Sequence, residues 1–260
     1  LEIVGYVTLV LVGISLGLIG GGGAILTVPI LVYLFKTPVI DATSYSLFIV
    51  GLASLFGVWR YFQKRLVSHR VALGFLWPSF IGTYLARRVV TPWIPENILI
   101  GDYFSLSKDR LIMGAFALVM LGASFAMIRA PEGASLKKVG SPLIFFVMAL
   151  AVGFTAGFVG AGGGFLIIPA LVLLAGMPMQ NAVGTSLLII SVNSLFGFSG
   201  DVIAGKSIDW IFLLLATAFA FAGVFIGTLL SKYVSGAKLK QAFGWFVLVM
   251  GLFVLGGQLL

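Results

Sequence analysis

Two hydrophobic segments, broken by glycine at the same place and 140 residues apart, constrain this chain more than anything else in it. The run Gly17-Leu-Ile-Gly20-Gly21-Gly22-Gly23-Ala-Ile-Leu26-Thr-Val-Pro29 returns as Gly157-Phe-Val-Gly160-Ala-Gly162-Gly163-Gly164-Phe-Leu166-Ile-Ile-Pro169. Without gaps, residues 12–57 and 152–197 agree at 20 of 46 positions. Unrelated apolar segments would share roughly one position in ten, so the chain carries an internal repeat. A glycine-interrupted hydrophobic segment at matching places in two halves points to a transporter's binding site.

The repeat sits in a chain that water cannot cover. Of 260 residues, 60% are hydrophobic and 9% charged, with a mean hydropathy of +1.18. A soluble domain carries about 25% charged residues. Long apolar stretches between charged clusters favour membrane helices over a barrel, whose strands would alternate. The fold class expected is an all-α polytopic membrane protein. Cysteine is absent, which excludes disulfides and thiolate chemistry. The one histidine, His69, lies among Arg60, Lys64, Arg65 and Arg70 and reads as a solvated loop residue, so no metal or other cofactor is expected. The net charge of +8 sits at segment ends, where an anionic leaflet attracts it, and nucleic acid is not an expected partner. No cleavable leader is expected within these residues, and the first is not Met.

The hydrophobic segments fall at 3–19, 24–35, 40–59, 71–89 and 111–128, then at 142–159, 164–175, 180–200, 208–231 and 239–259. This divides the chain into repeat 1 (1–128), a cytoplasmic connector (129–141) and repeat 2 (142–260). Segment four keeps a trace of the repeat, Ile81-Gly82-Thr83 against Ile226-Gly227-Thr228. The second segment of each half is short: twelve helical residues rise about 18 Å, against a hydrocarbon core of about 30 Å. Segments one and two therefore suit a hairpin that turns inside the membrane, leaving three further crossings per half. Three is odd, so the second half is expected to be inverted. With loops 60–70, 129–141 and 231–240 inside, Lys and Arg number 10 inside and 6 outside. The acidic residues divide seven outside to one inside, Glu132.

Backbone exposed at membrane depth is tolerated where it lines a polar cavity. The short helices after the glycine turns would aim their N-termini inward, each with free N–H groups and about half a positive charge. Two such ends across a pseudo-twofold axis make an anion site, lined by Gly20, Gly21, Gly22 and Gly23 and by Gly160, Gly162, Gly163 and Gly164. Close helix packing is the competing reading, and Gly13, Gly17, Gly153 and Gly157 fit it better. Pro29 and Pro169 are expected to kink the short helices. Asp41 and Asn181, after Pro38 and Pro178, are expected to N-cap segment three. In that segment Ser46, Thr185, Ser186 and Asn193 are candidate donors to a bound anion, against the alternative that such side chains bond their own helix or join helices. All eight carboxylates lie at segment ends or in loops, so no buried proton relay or cation path is expected. The spans hold no nucleophile–base pair or metal cluster, so an enzyme is not expected.

At the doubled motif, Gly160-Ala-Gly162-Gly163-Gly164 to Pro169, and at Asn181-Ala182-Val183-Gly184-Thr185-Ser186-Leu187, the chain resembles the sulfite exporter TauE/SafE-like permeases, also called the 4-toluene sulfonate uptake permease family. The first half departs from the pattern, with Thr43-Ser44-Tyr45-Ser46 in place of Val183-Gly184-Thr185-Ser186. The resemblance implies transport of sulfur-containing anions such as sulfite, sulfonates, sulfoacetate-like acids or thiosulfate. The expected protein is a secondary transporter of the cytoplasmic (inner) membrane working by alternating access. A passive anion channel of the same architecture is the alternative. Its expected partners are the anion and the lipid bilayer, with a homodimer left open.

Overall fold

Apolar segments of this kind become helices because lipid offers their backbone no other hydrogen-bond partner. The computed structural model describes residues 2–90, 93, 97–100, 104–129, 142–159, 164–203, 205 and 208–259. The first half holds α1 (Glu2–Ile19), α2 (Ala24–Tyr33), α3 (Val39–Gln63), α4 (His69–Tyr84) and α5 (Lys108–Arg129). The second holds α6 (Pro142–Val159), α7 (Gly164–Pro169), α8 (Met179–Ile203), α9 (Trp210–Leu230) and α10 (Gly236–Leu259). Each helix of the first half therefore answers to the helix five places later. Among the described residues, α3 from Asp41, α8 and α9 are long and apolar enough to cross a membrane. Their outward faces stay apolar: Trp59 on α3, Phe196 on α8, and Ile211 and Leu214 on α9 are exposed. Leu16, Ile49, Phe75, Ile168 and Leu187 fill the interior. An all-α chain is expected; among the described residues one antiparallel ladder, within 91–110, departs from that. There β1 (Asn97–Ile100) pairs with β2 (Phe104–Ser107), Asn97 opposite Ser107.

Packing follows the repeat. α1 lies on α9 and α6 lies on α4, each backbone to backbone. A β-carbon on Gly13 would run into the Ala220 carbonyl, and one on Gly153 into the Ser79 carbonyl. Gly223 meets Val10, and Gly82 meets Leu150, in the same way. Small residues allow such approach where no hydrophobic force drives helices together. The central pair, α3 and α8, runs antiparallel: along α3, Leu47 meets Gly197, Gly51 meets Leu195 and Gly57 meets Leu187. α5 and α10 are antiparallel too, with Met120 at Gly251 and Ile128 at Gly244.

Backbone detail repeats as well. Positive φ occurs at Lys36 (54°) and Gly176 (63°), and at Arg65 (56°) and Gly205 (78°). Both pairs are 140 residues apart. After α2 the Thr37 N–H reaches the Leu31 carbonyl (3.1 Å), as the Met177 N–H reaches Leu171 (3.0 Å). Both are helix endings closed through a left-handed residue.

Three sequence expectations change. In segment four, matched contacts pair Ser79 with Ala220 and Gly82 with Gly223, so the triplet Ile81-Gly82-Thr83 is not the counterpart of Ile226-Gly227-Thr228. Asp41 does not cap α3. Pro38 holds the N-cap position with no side-chain bond, and Asp41 sits inside the first turn. Asn181 likewise lies within α8, two residues past its first residue Met179. Each proline sets the entry, and its carbonyl accepts the first helical bond, from Ala42 (2.8 Å) and Ala182 (2.9 Å). Asp41 then complements the helix dipole without bonding an end N–H. The two repeated prolines also differ. α2 continues through Pro29 as an α-helix, whereas Pro169 stands where α7 widens into a π-helical turn over Ala170–Leu174. The missing N–H permits the change of pitch without imposing it, since α2 lacks the same donor at Pro29 and stays α-helical.

Candidate functional site

α1 must end in mid-structure, and its last carbonyls need donors. The Leu16 carbonyl accepts from the Gly20 N–H (2.8 Å). The Gly17 carbonyl accepts from the buried hydroxyl of Tyr61 on α3 (2.8 Å). Gly20 then turns with φ 74° and ψ −126°, a conformation that side-chain-bearing residues avoid. Gly21–Gly23 make a single 3₁₀ turn into α2. Gly23 serves packing, since a β-carbon there would meet Ser15 and Val12 of α1.

The turn lies against the second half. A β-carbon on Gly20 would stand 2.7 Å from the Ser186 Oγ and 3.0 Å from Ile168 Cδ1. One on Gly164, the first residue of α7, would stand 2.9 Å from Ile190 Cδ1 and 3.4 Å from the Gly21 Cα. Gly20, Gly21, Gly164 and Ser186 are thus brought together. Gly160, Gly162 and Gly163 lie outside the described residues.

Ser186, Ile190 and Asn193 recur at spacings of four and three along α8, which places them on one face. Ser186 Oγ donates to the Val183 carbonyl (2.9 Å) and keeps its lone pairs free for an N–H of its surroundings. Asn193 Oδ1 is buried with no hydrogen-bond partner, as is Ser54 Oγ on α3. A buried polar atom left alone costs about 1–3 kcal/mol; Asn193 Oδ1 accepts only, so the part of this side chain that can contact an anion is its amide N–H. Ser46 is buried on α3 at the position the repeat pairs with Ser186.

Thr185 does different work. Its Oγ1 accepts from the Ser68 N–H (3.0 Å) at the N-cap of α4. Its repeat partner, Tyr45, accepts through its hydroxyl from the Asp209 N–H (2.9 Å) at the N-cap of α9. Ser68 and Asp209 share the same backbone shape, with ψ of 93° and 92°. The first-half departure at Tyr45 therefore preserves a role, though no residue-type match signals it. Ser44 reaches Asp201 Oδ2 in the last turn of α8 (2.5 Å). Sequence reasoning placed that carboxylate at a segment end, correctly, but missed its buried partner.

At the other end of α3, Lys64 Nζ donates to the Thr228 carbonyl (2.8 Å) and Ser231 Oγ (3.2 Å). Burial, then the charges of Lys232 and Arg60, hold the Lys64 pKa below the usual lysine value.

A family model described as Sulfite exporter TauE/SafE matches residues 6–254. A "Probable membrane transporter protein" of Xylella fastidiosa (strain 9a5c) is 30% identical, over 94% of this chain and 91% of its own length. The "Probable membrane transporter protein YunE" of Bacillus subtilis (strain 168) is 28% identical, over 87% and 89%. A "Probable membrane transporter protein" of Haemophilus influenzae is 24% identical, over 93% of each chain. No solved structure matches the chain.

Proposed function

The chain belongs to the sulfite exporter TauE/SafE family, a family of membrane transporters, and from that premise we propose that it is a secondary transporter of small sulfur-containing anions. Sulfite, sulfonates, sulfoacetate-like acids and thiosulfate are the substrate class, and the cytoplasmic membrane is the site of action. Repeat 1 (1–128) and repeat 2 (142–260) are inverted copies that rock about the bound anion, with 129–141 as a cytoplasmic connector. The antiparallel crossing of α3 with α8, and of α5 with α10, supports the inversion: equivalent helices related by an axis in the membrane plane must oppose one another. The anion sits between the glycine turns. Backbone N–H groups of residues 21–23 and 160–164 hold its oxygens, Gly20 shapes the turn with its own N–H on the Leu16 carbonyl, Asn193 and Ser46 add contacts, and Ser186 frames the first turn. No acid–base pair for an enzymatic reaction enters this reading.

The observation that carries the proposal is the meeting of the two glycine segments, Gly164 against Gly21, beside the Ser186 face of α8. Sulfite flux into proteoliposomes tests it, with Asn193→Leu as the variant. Removing an amide whose oxygen has no partner leaves folding intact or strengthened. The expected result is saturable flux with counterflow in the wild type, and a fall of tenfold or more in the variant, about 1.4 kcal/mol. Large single-channel currents would instead mean a passive pore. Absence of flux for every sulfur oxyanion would sink the substrate class.

A further inference from the structure

α3 and α9 run side by side to a common end. Phe56 stacks on Phe221 (5.3 Å between ring centres), Arg60 lies over the Phe225 ring (4.9 Å), and Lys64 reaches the Thr228 carbonyl. Both helices finish here, and each C-terminus carries about half a negative charge. Lys64 answers that charge directly, with two of its three N–H groups on Thr228 and Ser231. Arg60 and Lys232 are not accounted for in this way. Arg60 has its Nε buried with no hydrogen-bond partner, and Lys232 directly follows Ser231, the second partner of Lys64, in the turn that closes α9. Three cations thus face about one unit of helix-end charge. Asp41 and Asp209 open α3 and α9, and Asp201 closes the antiparallel α8, so these carboxylates lie at the opposite end. Beside the cations the outward face is apolar and exposed, with Trp59 and Phe62 on α3, Phe225 on α9 and Tyr233 just past it. Aromatic residues at this level mark the border between headgroups and acyl chains.

We propose that Arg60, Lys64 and Lys232 hold the phosphate of an anionic phospholipid whose acyl chains lie along the exposed aromatic face of α3 and α9. The phosphate supplies the missing anion, and its oxygens accept from the guanidinium and from the third N–H of Lys64. The seat adjoins the end of α1, since Lys64 lies over Tyr61, which bonds the Gly17 carbonyl, but lipid retention is read without flux and so is decided apart from the transport reading.

Native mass spectrometry of the full chain, released from nanodiscs of equal parts phosphatidylcholine and phosphatidylglycerol, reads the seat directly. Wild type should retain phosphatidylglycerol in preference to phosphatidylcholine. The double variant Arg60→Gln/Lys232→Gln should lose about 25-fold of that preference, fivefold for each basic residue near an anionic surface. Lys238→Gln removes an exposed charge in the first turn of α10 and should change nothing. An equal loss in Lys238→Gln would reduce the effect to general surface charge and overturn the proposal. So would equal retention of both lipids by the wild type, or full displacement of phosphatidylglycerol by inorganic phosphate, which would make the seat a free-oxyanion site.

Discussion

The two ends of the α3–α8 crossing use the same pair of repeat positions and reach opposite solutions. At one end Tyr61 packs over Gly184 and sends its hydroxyl to the Gly17 carbonyl, just before the first glycine turn. At the other, Ser44, the counterpart of Gly184, donates to Asp201, the counterpart of Tyr61. Backbone and helix packing are duplicated, while the side chains at the ends of the crossing have diverged. One end is locked onto a glycine turn by a neutral, buried hydroxyl. The other closes on itself through a half-buried carboxylate. In the proposed alternating-access cycle the two ends must be of nearly equal energy, and diverged ties are how a duplicated frame can favour one of them.

The duplicated part should be unforgiving, and equally so in both halves. Gly13→Leu and Gly153→Leu each drive a side chain into a facing backbone carbonyl. Each should cost about 3 kcal/mol or more, read as loss of monodisperse protein in detergent. Near-normal stability of either variant would break the claim that α1–α9 and α6–α4 are equivalent contacts. The diverged part should separate the two ends. Tyr61→Phe keeps the ring and strands a buried carbonyl, a loss of about 1–3 kcal/mol. Ser44→Ala removes a hydrogen bond to a charged group, worth about 1.5–3 kcal/mol, but from a half-buried carboxylate that water can reach and re-solvate, so only part of it is lost. Thermal unfolding of both in one detergent should rank Tyr61→Phe as the more damaging. The reverse order would move the tighter tie to the Asp201 end.

Much of this was legible in the sequence, and the failures have physical causes. Glycine runs and proline spacing survive duplication because backbone geometry demands them, so the turns and the helix order were readable. Segment four misled because the triplet match lies four residues from the contact register, 145 against 141. Four residues are only about 40° past a full helical turn, so the wrong register presents nearly the same face. Tyr45 was invisible as the partner of Thr185 because a hydroxyl can arrive on side chains of very different size. Asp41 and Asn181 looked like caps by residue type, yet Pro38 and Pro178 start the helices earlier. Of the site residues, Gly20, Gly21, Gly164 and Ser186 lie together, but Gly23 is spent on packing, the Ser186 proton on the Val183 carbonyl and Thr185 on an N-cap, and the orphaned amide oxygen of Asn193 needed three dimensions to stand out.

Sulfite binding to purified Gly164→Ala, measured by calorimetry beside wild type, tests the central claim most directly. The added methyl meets the movable end of Ile190 and only ordinary contact distance to the Gly21 Cα (3.4 Å), so the fold should persist. It narrows the gap between the two glycine segments where the anion is placed. Affinity should fall tenfold or more, with the unfolding temperature little changed, in line with the value of about 1.5–3 kcal/mol for one hydrogen bond to a charged group. Unaltered sulfite affinity in a folded Gly164→Ala protein would place the anion somewhere other than between the glycine turns.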